Sequence, residues 1–295
     1  MEEVKKENSL SVLTFNAGLF NLILFGRNWA SSVPYVNRRL RAMPAALAET
    51  GADVIALQEI YSRRHRRFLV KKLKKVYPYS AYNRKKKKFF SLVNGLLILS
   101  KYPIARSKME FYRGSSFLEK IFVDKGILSA TIVMDSGKKV NIITTHTSAG
   151  DWLRHPEHKS MDRIRESQML QLFDFCEEQK DDVIIAGDLN TGPGVSDSNY
   201  QLISRNNLLD VYKHVWGVNE DSIAVTWDPK NHLSKKGFHS SSPPQRIDHI
   251  IIPSKSSIKV LESKITLNNP TVRLRSKRRV TLSDHYGVIA KFEIK

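Results

Sequence analysis

The sequence is short of cysteine, of acids and of long apolar runs, and each shortage closes off a class of protein. Its one cysteine, Cys176, excludes an intramolecular disulfide and a cysteine-only metal cage. A reducing compartment therefore suits the chain, with a disulfide-free secreted protein as the other option. No stretch approaches the roughly 20 apolar residues that a spanning helix needs. The opening MEEVKKENSL is charged and unlike a signal peptide. No repeat at solenoid or propeller spacing is visible and no low-complexity linker divides the 295 residues, so one domain over 1–295 is the expectation. The expected setting is the cytoplasm, with peripheral membrane contact and with export by a route without a cleaved signal left open. The expected state is a monomer.

Positive charge is what the sequence has in excess: 48 Lys plus Arg stand against 29 Asp plus Glu, a formal net charge of +19. Such an excess favours nucleic acid, anionic lipid headgroups or phosphorylated small molecules. Three clusters concentrate it: RRHRRFLVKKLKK (Arg63 to Lys75), RKKKK (Arg84 to Lys88) and RLRSKRR (Arg273 to Arg279). Each could be solvated surface, yet single-sign clusters repel themselves, and three together suggest an anionic counter-surface. A membrane would reward each Lys or Arg by about 1 kcal/mol, and DNA phosphates would bind the same clusters in a salt-dependent way. Charge alone does not choose. Phe89 and Phe90 follow the second cluster directly, as suits rings entering a headgroup region, or a strand entering the core. EFYRGSSFLEKIF, residues 110–122, is a second aromatic loop of the same kind.

Short apolar segments recur along the chain: LSVLTFN, DVIALQE, NGLLILS, GILSATIVMD, KVNIITTHT, DVIIAGDLN, RIDHIIIPS and HYGVIAKFEI. Rich in Val, Ile and Thr and bounded by turn formers, they read as strands, several buried on both faces. Residues 36–50 read as a helix ended by Gly51, with a kink or restart at Pro44. Residues 160–178 read as a second, with Met161, Ile164, Met169, Leu170, Phe173 and Phe175 near one face. Arg63 to Val76 reads as a third, amphipathic but basic. Helices falling between more numerous strands imply a layered α+β domain.

Polar residues gather at the ends of these strands. DVIALQEI ends in Gln58 and Glu59, NIITTHTSAG reaches His146, and DVIIAGDLNTGP ends in Asp188 and Asn190. PPQRIDHIII opens with Asp248, and TLSDHYG carries Asp284 and His285. A single carboxylate at a strand end is usually a turn former or a helix cap. Acid, amide and imidazole groups at so many strand mouths suit phosphoryl chemistry instead. Hard oxygen ligands match Mg²⁺, imidazoles meet phosphate oxygens, and a carboxylate orients water.

In order along nearly the whole chain, LTFN with Asn16, IALQE with Glu59, TTH with His146, GDLN with Asp188 and Asn190, RIDH with Asp248 and LSDHYG with Asp284 and His285 resemble the endonuclease/exonuclease/phosphatase superfamily. The resemblance implies an α+β fold, a four-layered sandwich of two central, mainly antiparallel β-sheets packed face to face with helices outside. It implies that Glu59 binds a catalytic Mg²⁺ (Mn²⁺ or another divalent cation being the alternative), with Asn16 as ligand or support. Asp188 would position or deprotonate the attacking water and Asn190 would hold a phosphate oxygen. His146 and His285 would contact the scissile phosphate, with Asp248 orienting His285 and Asp284 near the metal. Nuclease members often carry a further acid two residues beyond the first Asn. Here that position is Gly18, which argues against a second metal and against DNA repair.

VDKGILSATI and VTWDPKNHLSKKG…PPQRIDHI resemble the neutral sphingomyelinase and phospholipase C-like branch, although His232 stands where that branch would have a small residue or Pro. Lys125 is then a candidate for touching phosphate, against the usual solvated strand lysine. Trp227 is a candidate pocket wall, against a buried packing residue. The expected activity is hydrolysis of a phospholipid headgroup phosphoester by in-line water attack, with a DNase-like endonuclease as the alternative. An inositol phosphate phosphatase is disfavoured because Thr191, Gly192 and Pro193 follow GDLN where an aromatic and an Arg are usual. A phosphate-binding module without turnover is the remaining class. The apolar run from Leu19 to Phe25 is either a rim that meets lipid or packing against the helix near Arg39 to Leu47.

Overall fold

The computed structural model describes residues 8–24, 27–31, 33–83, 93–116, 119–120, 123–149, 159–221, 224–234 and 242–295, and side chains for all of these except 21–31 and 218–221. The cluster Arg84 to Lys88 with Phe89 and Phe90, the ring of Phe25, and residues 117, 118, 121 and 122 of the aromatic loop lie outside the described residues.

In chain order the elements are β1 (Ser9–Asn16), β2 (Asn21–Leu24), β3 (Arg27–Ser31), α1 (Val36–Glu49), β4 (Val54–Gln58), α2 (Arg63–Leu73), β5 (Tyr79–Ala81), β6 (Leu97–Ser100), β7 (Ile104–Phe111), β8 (Gly126–Val133), β9 (Lys139–Thr145), α3 (Lys159–Glu177), β10 (Asp182–Asp188), α4 (Asp197–Arg205), β11 (Leu208–Asp210), α5 (Val211–Asp221), β12 (Asp248–Pro253), β13 (Lys259–Thr266), β14 (Val272–Arg273), β15 (Arg279–Val280) and β16 (Gly287–Glu293). Among the described residues no helix is long and apolar enough to cross a membrane.

Twelve of the strands form two six-stranded sheets, in the orders β13-β16-β1-β4-β6-β5 and β11-β12-β10-β9-β8-β7. The period-two alternation of strand side chains sets the layers. In β1, Leu10 and Val12 enter the core between the sheets, while Leu13 and Phe15 face α1 and α2 on the outside. In β10, Ile184 and Ala186 enter the same central core, while Val183 and Ile185 pack on α3 and α4. Helix, sheet, sheet and helix therefore stack in four layers, which explains why these strands read as continuous apolar runs.

Each sheet has one parallel pair at its middle, β1 with β4 and β9 with β10, and the other pairings are antiparallel. This arrangement positions the site. Parallel neighbours deliver their C-terminal ends to one edge, and antiparallel neighbours deliver their N-terminal ends to the same edge.

Three expectations from sequence need amendment. Helix α1 runs unbroken through Pro44, because Leu40, Met43 and Leu47 on either side of it are buried against the sheet and that packing outweighs one lost backbone bond. In α3 the buried face includes Leu172 and Cys176, whereas Leu170 faces solvent at 39% exposure. In α2 the basic side chains are not all solvated, since Arg66 is buried and its guanidinium lies 4.0 Å over the Tyr82 ring. Gly51 closes α1 as expected, with φ 71° and its N–H donating to the Ala48 carbonyl.

Candidate functional site

Asn16 ends β1 and Glu59 lies one residue past β4, so the parallel register Asn16↔Gln58 sets the amide beside the carboxylate. His146 bridges Asp188 in parallel just past β9 and at the end of β10. Asp248 opens β12 directly opposite Asp188. Asp284 and His285 precede β16, whose Val288 pairs with Thr14 of β1. All six strand ends thus meet at one edge of the two sheets. Just inside that edge the Gln58 amide donates to Thr14 Oγ1 at 3.1 Å and to Thr144 Oγ1 at 2.9 Å, tying one sheet to the other.

The side chains interlock. The Asn16 amide Nδ2 donates to Asp188 Oδ2 at 2.8 Å and to Glu59 Oε1 at 3.3 Å, while its Oδ1 accepts the Gly18 N–H at 3.0 Å. Asp188 Oδ1 accepts the Asn190 N–H at 2.9 Å, in a turn where Asn190 takes φ 48°. His285 Nδ1 donates to Asp248 Oδ2 at 2.9 Å and lies 3.9 Å from Asp188 Oδ2. His146 Nε2 lies 3.6 Å from the same Asp188 oxygen, with its Nδ1 3.3 Å from the Tyr61 hydroxyl.

These contacts give the two histidines opposite characters. Burial alone would depress His285, but Asp248, its hydrogen bond, Asp188 and Asp284 together hold it well above the usual imidazole value. Burial, aided by Lys125, pushes His146 well below that value. The site therefore favours the protonated form of His285 and the neutral form of His146. Glu59 is raised to about 7, chiefly by burial and next by the charge of Asp284, with His285 and the Asn16 bond opposing.

That unbalanced charge at Glu59 is the observation against which a metal is tested. The Glu59 and Asp284 carboxylates offer hard oxygen atoms, and a divalent cation beside them would offset the burial and the Asp284 charge that raise Glu59 to about 7. Asp188, Asp248 and His285 also form a compact group, with one candidate ligand atom from each within 4.8 Å of the others. There, however, the imidazole holds its proton and its Nδ1 is committed to Asp248, so the group is a hydrogen-bonded acid–base cluster. Gly18 has φ +55°, and a Cβ placed on it would stand 2.7 Å from Asp284 Oδ1 and 2.9 Å from Ser283 Oγ. The space that a further acid would use at this position is filled by Asp284.

Lys125 is neither solvated nor pointed at an open site. It is buried, pairs with Glu119 Oε1 at 3.2 Å and donates to the Thr147 carbonyl at 2.6 Å, the carbonyl that also accepts the Asn190 amide at 3.1 Å. Trp227 is 7% exposed, packs with Val195 and Ile247, and bridges His285 through the backbone.

Several supporting residues were assigned no role from the sequence, two of them, Arg246 and His249, although they flank Asp248 in RIDH. The carboxylate of Asp210 accepts from Arg246 at 2.9 Å and bonds His249 Nδ1 at 2.8 Å, and His249 Nε2 donates to the Thr191 carbonyl at 2.8 Å. Against the cost of burial, Arg246 and His249 hold Asp210 well below the usual carboxylate range. The network flanks Asp248 and secures the turn after Asn190. Buried Arg39 of α1 donates to the carbonyls of Ala17, Gly18, Val33, Pro34 and Leu282, joining the segments that precede the Gly18 turn and Asp284. Leu19 is fully buried against α1, and the Phe20 ring meets Tyr61 edge-on at 5.7 Å. Leu22 to Leu24 belong to the β2–β3 hairpin, where only the backbone is described.

The family profile of the Endonuclease/Exonuclease/phosphatase family matches residues 13–285, a span holding every one of these strand-end residues. The chain belongs to this family. A Drosophila melanogaster protein with the provisional name neutral sphingomyelinase is 27% identical over 274 residues, covering 89% of this chain and 58% of its own length. A Staphylococcus aureus protein named phospholipase C is 25% identical over 268 residues, covering 84% of this chain and 75% of its own length. The chain thus spans little more than half of the fly relative. Among solved structures, Staphylococcus aureus beta toxin with bound magnesium ions superposes with a TM-score of 0.71 at 21% identity, covering 97% of this chain and 100% of the toxin. Danio rerio TDP2 complexed with a single-strand DNA product superposes with a TM-score of 0.69 at 18% identity, covering 96% and 98%. Both show a shared fold: the four-layered sandwich of this family.

Proposed function

We propose that the protein is a Mg²⁺-dependent phosphodiesterase that cleaves the phosphoester joining a phospholipid's phosphorylated headgroup to its lipid alcohol, in the manner of a sphingomyelinase or phospholipase C. The observation that carries the reading is the pair of imidazoles flanking Asp188 at the strand ends, His285 hydrogen-bonded to Asp248 at 2.9 Å and His146 with Nε2 3.6 Å from Asp188 Oδ2. The relatives' names add the substrate class.

Asp188, its two oxygens oriented by Asn16 and the Asn190 N–H, holds and deprotonates the attacking water. His285, fixed by Asp248 through Nδ1, presents Nε2 to a phosphoryl oxygen and supplies positive charge where negative charge develops. His146 and Asn190 donate to the remaining oxygens. Glu59, with Asn16 beside it and Asp284 near it, would hold the divalent cation, which when bound neutralises phosphoryl charge. Lys125 serves by holding the Thr147 carbonyl on which the Asn190 amide rests, and Trp227 backs His285.

The membrane surface itself would meet the basic face. The groove between α1 and the β14–β15 hairpin is lined by Arg38, Arg41, Arg273 and Arg275 and by no carboxylate. Tyr35, 51% exposed, directly precedes α1. An anionic lipid surface suits that combination of charge and ring. A nucleic-acid phosphodiester is the second reading, favoured by the shared fold with TDP2 and by the same charge.

Purified protein with Mg²⁺ is to be assayed on sphingomyelin and phosphatidylcholine vesicles and on plasmid DNA. Release of the phosphorylated headgroup with intact plasmid is expected. Nicked plasmid with intact lipid overturns the lipid assignment.

A further inference from the structure

Tyr61 lies outside the strand-end residues described above, yet its hydroxyl is the hydrogen-bond partner of His146 Nδ1, at 3.3 Å. It lies two residues beyond Glu59, in the loop that leaves β4 for α2, and is 5% exposed. Its ring is fixed on several sides. The Ile60 N–H donates to the Gly95 carbonyl and the Val93 N–H to the Tyr61 carbonyl. Gly95, at φ +80°, leaves room for the ring: a Cβ there would stand 2.8 Å from Tyr61 Cε1. Phe20 closes on it edge-on, with the ring planes at 84°.

A neutral imidazole carries one proton, and which nitrogen holds it decides whether that nitrogen donates or accepts. On its far side His146 Nε2 faces Asp188 Oδ2 at 3.6 Å, a carboxylate oxygen that can only accept. A proton on Nε2 meets that oxygen favourably, whereas a lone pair there would face negative charge. Nδ1 is then the acceptor, and the Tyr61 O–H is the donor.

We propose that Tyr61 is a positioning residue that fixes His146 as its Nε2–H tautomer. This rests on the phosphodiesterase reading for its consequence and on the contacts alone for its substance. With Tyr61 donating to Nδ1, Nε2–H points at the space beside Asp188 and donates to a non-bridging phosphate oxygen. Without it, the ring is free to take the Nδ1–H form, which turns a lone pair on that oxygen.

The test is nitrogen NMR of the full chain, reading long-range proton–nitrogen correlations in the histidine rings at neutral pH. The His146 signals are assigned by their loss in His146→Gln. In the unsubstituted protein His146 should give the Nε2–H pattern. In Tyr61→Phe it should move toward the Nδ1–H form or a mixture of the two. Turnover of the phosphodiester should fall about five- to tenfold in kcat, as for a lost hydrogen bond, with KM little changed. An Nδ1–H pattern in the unsubstituted protein overturns the assignment, and so does an unchanged His146 pattern in folded Tyr61→Phe. The first of these outcomes needs no variant to fold. Because the tautomer is read without substrate, a failure of the lipid assignment leaves this result standing, and the reverse also holds.

Discussion

At the scale of single residues, the site is organised by charge that the protein leaves partly uncompensated. Glu59 at about 7 binds a proton in the folded state over a range where the unfolded side chain, near 4.5, has lost it. Between those values the folded chain binds more protons, so metal-free stability falls as pH rises. Glu59→Gln should accordingly raise the melting temperature of the metal-free protein above pH 7, by on the order of 2–3 kcal/mol of stability, while abolishing both turnover and stabilisation by Mg²⁺. Calorimetry with and without Mg²⁺ checks this. A variant that melts lower than its parent without metal contradicts the charge argument. The pH dependence has the same sign for His285, whose folded value lies well above the ordinary 6.5, although here it is the charged form that the site favours. Its pair with Asp248 stabilises fully below the unfolded value and is lost as pH rises through the folded one. Asp248→Asn should flatten that dependence, move the alkaline limb of the kcat–pH profile to lower pH, and cut kcat by about 10²–10³. An alkaline limb that stays in place would assign it to another group.

At the scale of elements, the strands that supply the site were legible because each couples a buried apolar run to a polar end. β1, β4, β9, β10, β12 and β16 all have this form. Edge strands lacked it: β7 is mostly exposed and β13 mixes charged, polar and half-buried apolar residues, so neither stood out. β5, β11, β14 and β15 are two or three residues long, too short for any period to register. The strand-end residues could be named from sequence, but not the groups that hold them. Arg246 and His249 flank Asp248 in RIDH, but their partner Asp210 lies on another strand, and only the sheet order that sets β11 beside β12 shows what the pair holds. Arg39 is the clearest case, since RRLR reads as surface charge, and the fold turns one of its arginines inward onto the carbonyls of five residues. Arg39→Met keeps the apolar stem and strips those carbonyls of their donor. It should lower stability by about 3 kcal/mol or more in chemical denaturation and weaken Mg²⁺ binding through the Gly18 and Asp284 segments. Unchanged stability would mean that water replaces the guanidinium without loss.

At the scale of the whole molecule, the formal charge of +19 acts alongside a site built for a phosphodiester. The groove between α1 and the β14–β15 hairpin collects guanidinium groups on a face linked through Arg39 to the segments beside the site. Vesicle binding should therefore require anionic lipid and weaken steeply between about 0.05 and 0.5 M salt, where the screening length contracts from beyond 10 Å towards 3 Å. Replacing Arg41 and Arg275 by serine should reduce binding severalfold while leaving turnover of a soluble phosphodiester unchanged. Co-sedimentation at graded salt checks both, and binding indifferent to salt and lipid charge removes the electrostatic account. The identity of the headgroup was never within reach of the sequence, because the motifs report the phosphate chemistry common to the family and not what hangs from the ester.

In the proposed reaction, water held by Asp188 attacks the phosphorus of a phospholipid and the P–O bond to the lipid alcohol breaks, so that alcohol is the leaving group. Turnover of sphingomyelin vesicles in ¹⁸O-enriched water with Mg²⁺, with the products read by ³¹P NMR, tests it most directly. The account predicts that each released phosphorylated headgroup carries one ¹⁸O on phosphorus and that the lipid alcohol carries none. Label appearing in the lipid alcohol, or intact sphingomyelin under conditions where plasmid DNA is cut, would contradict it.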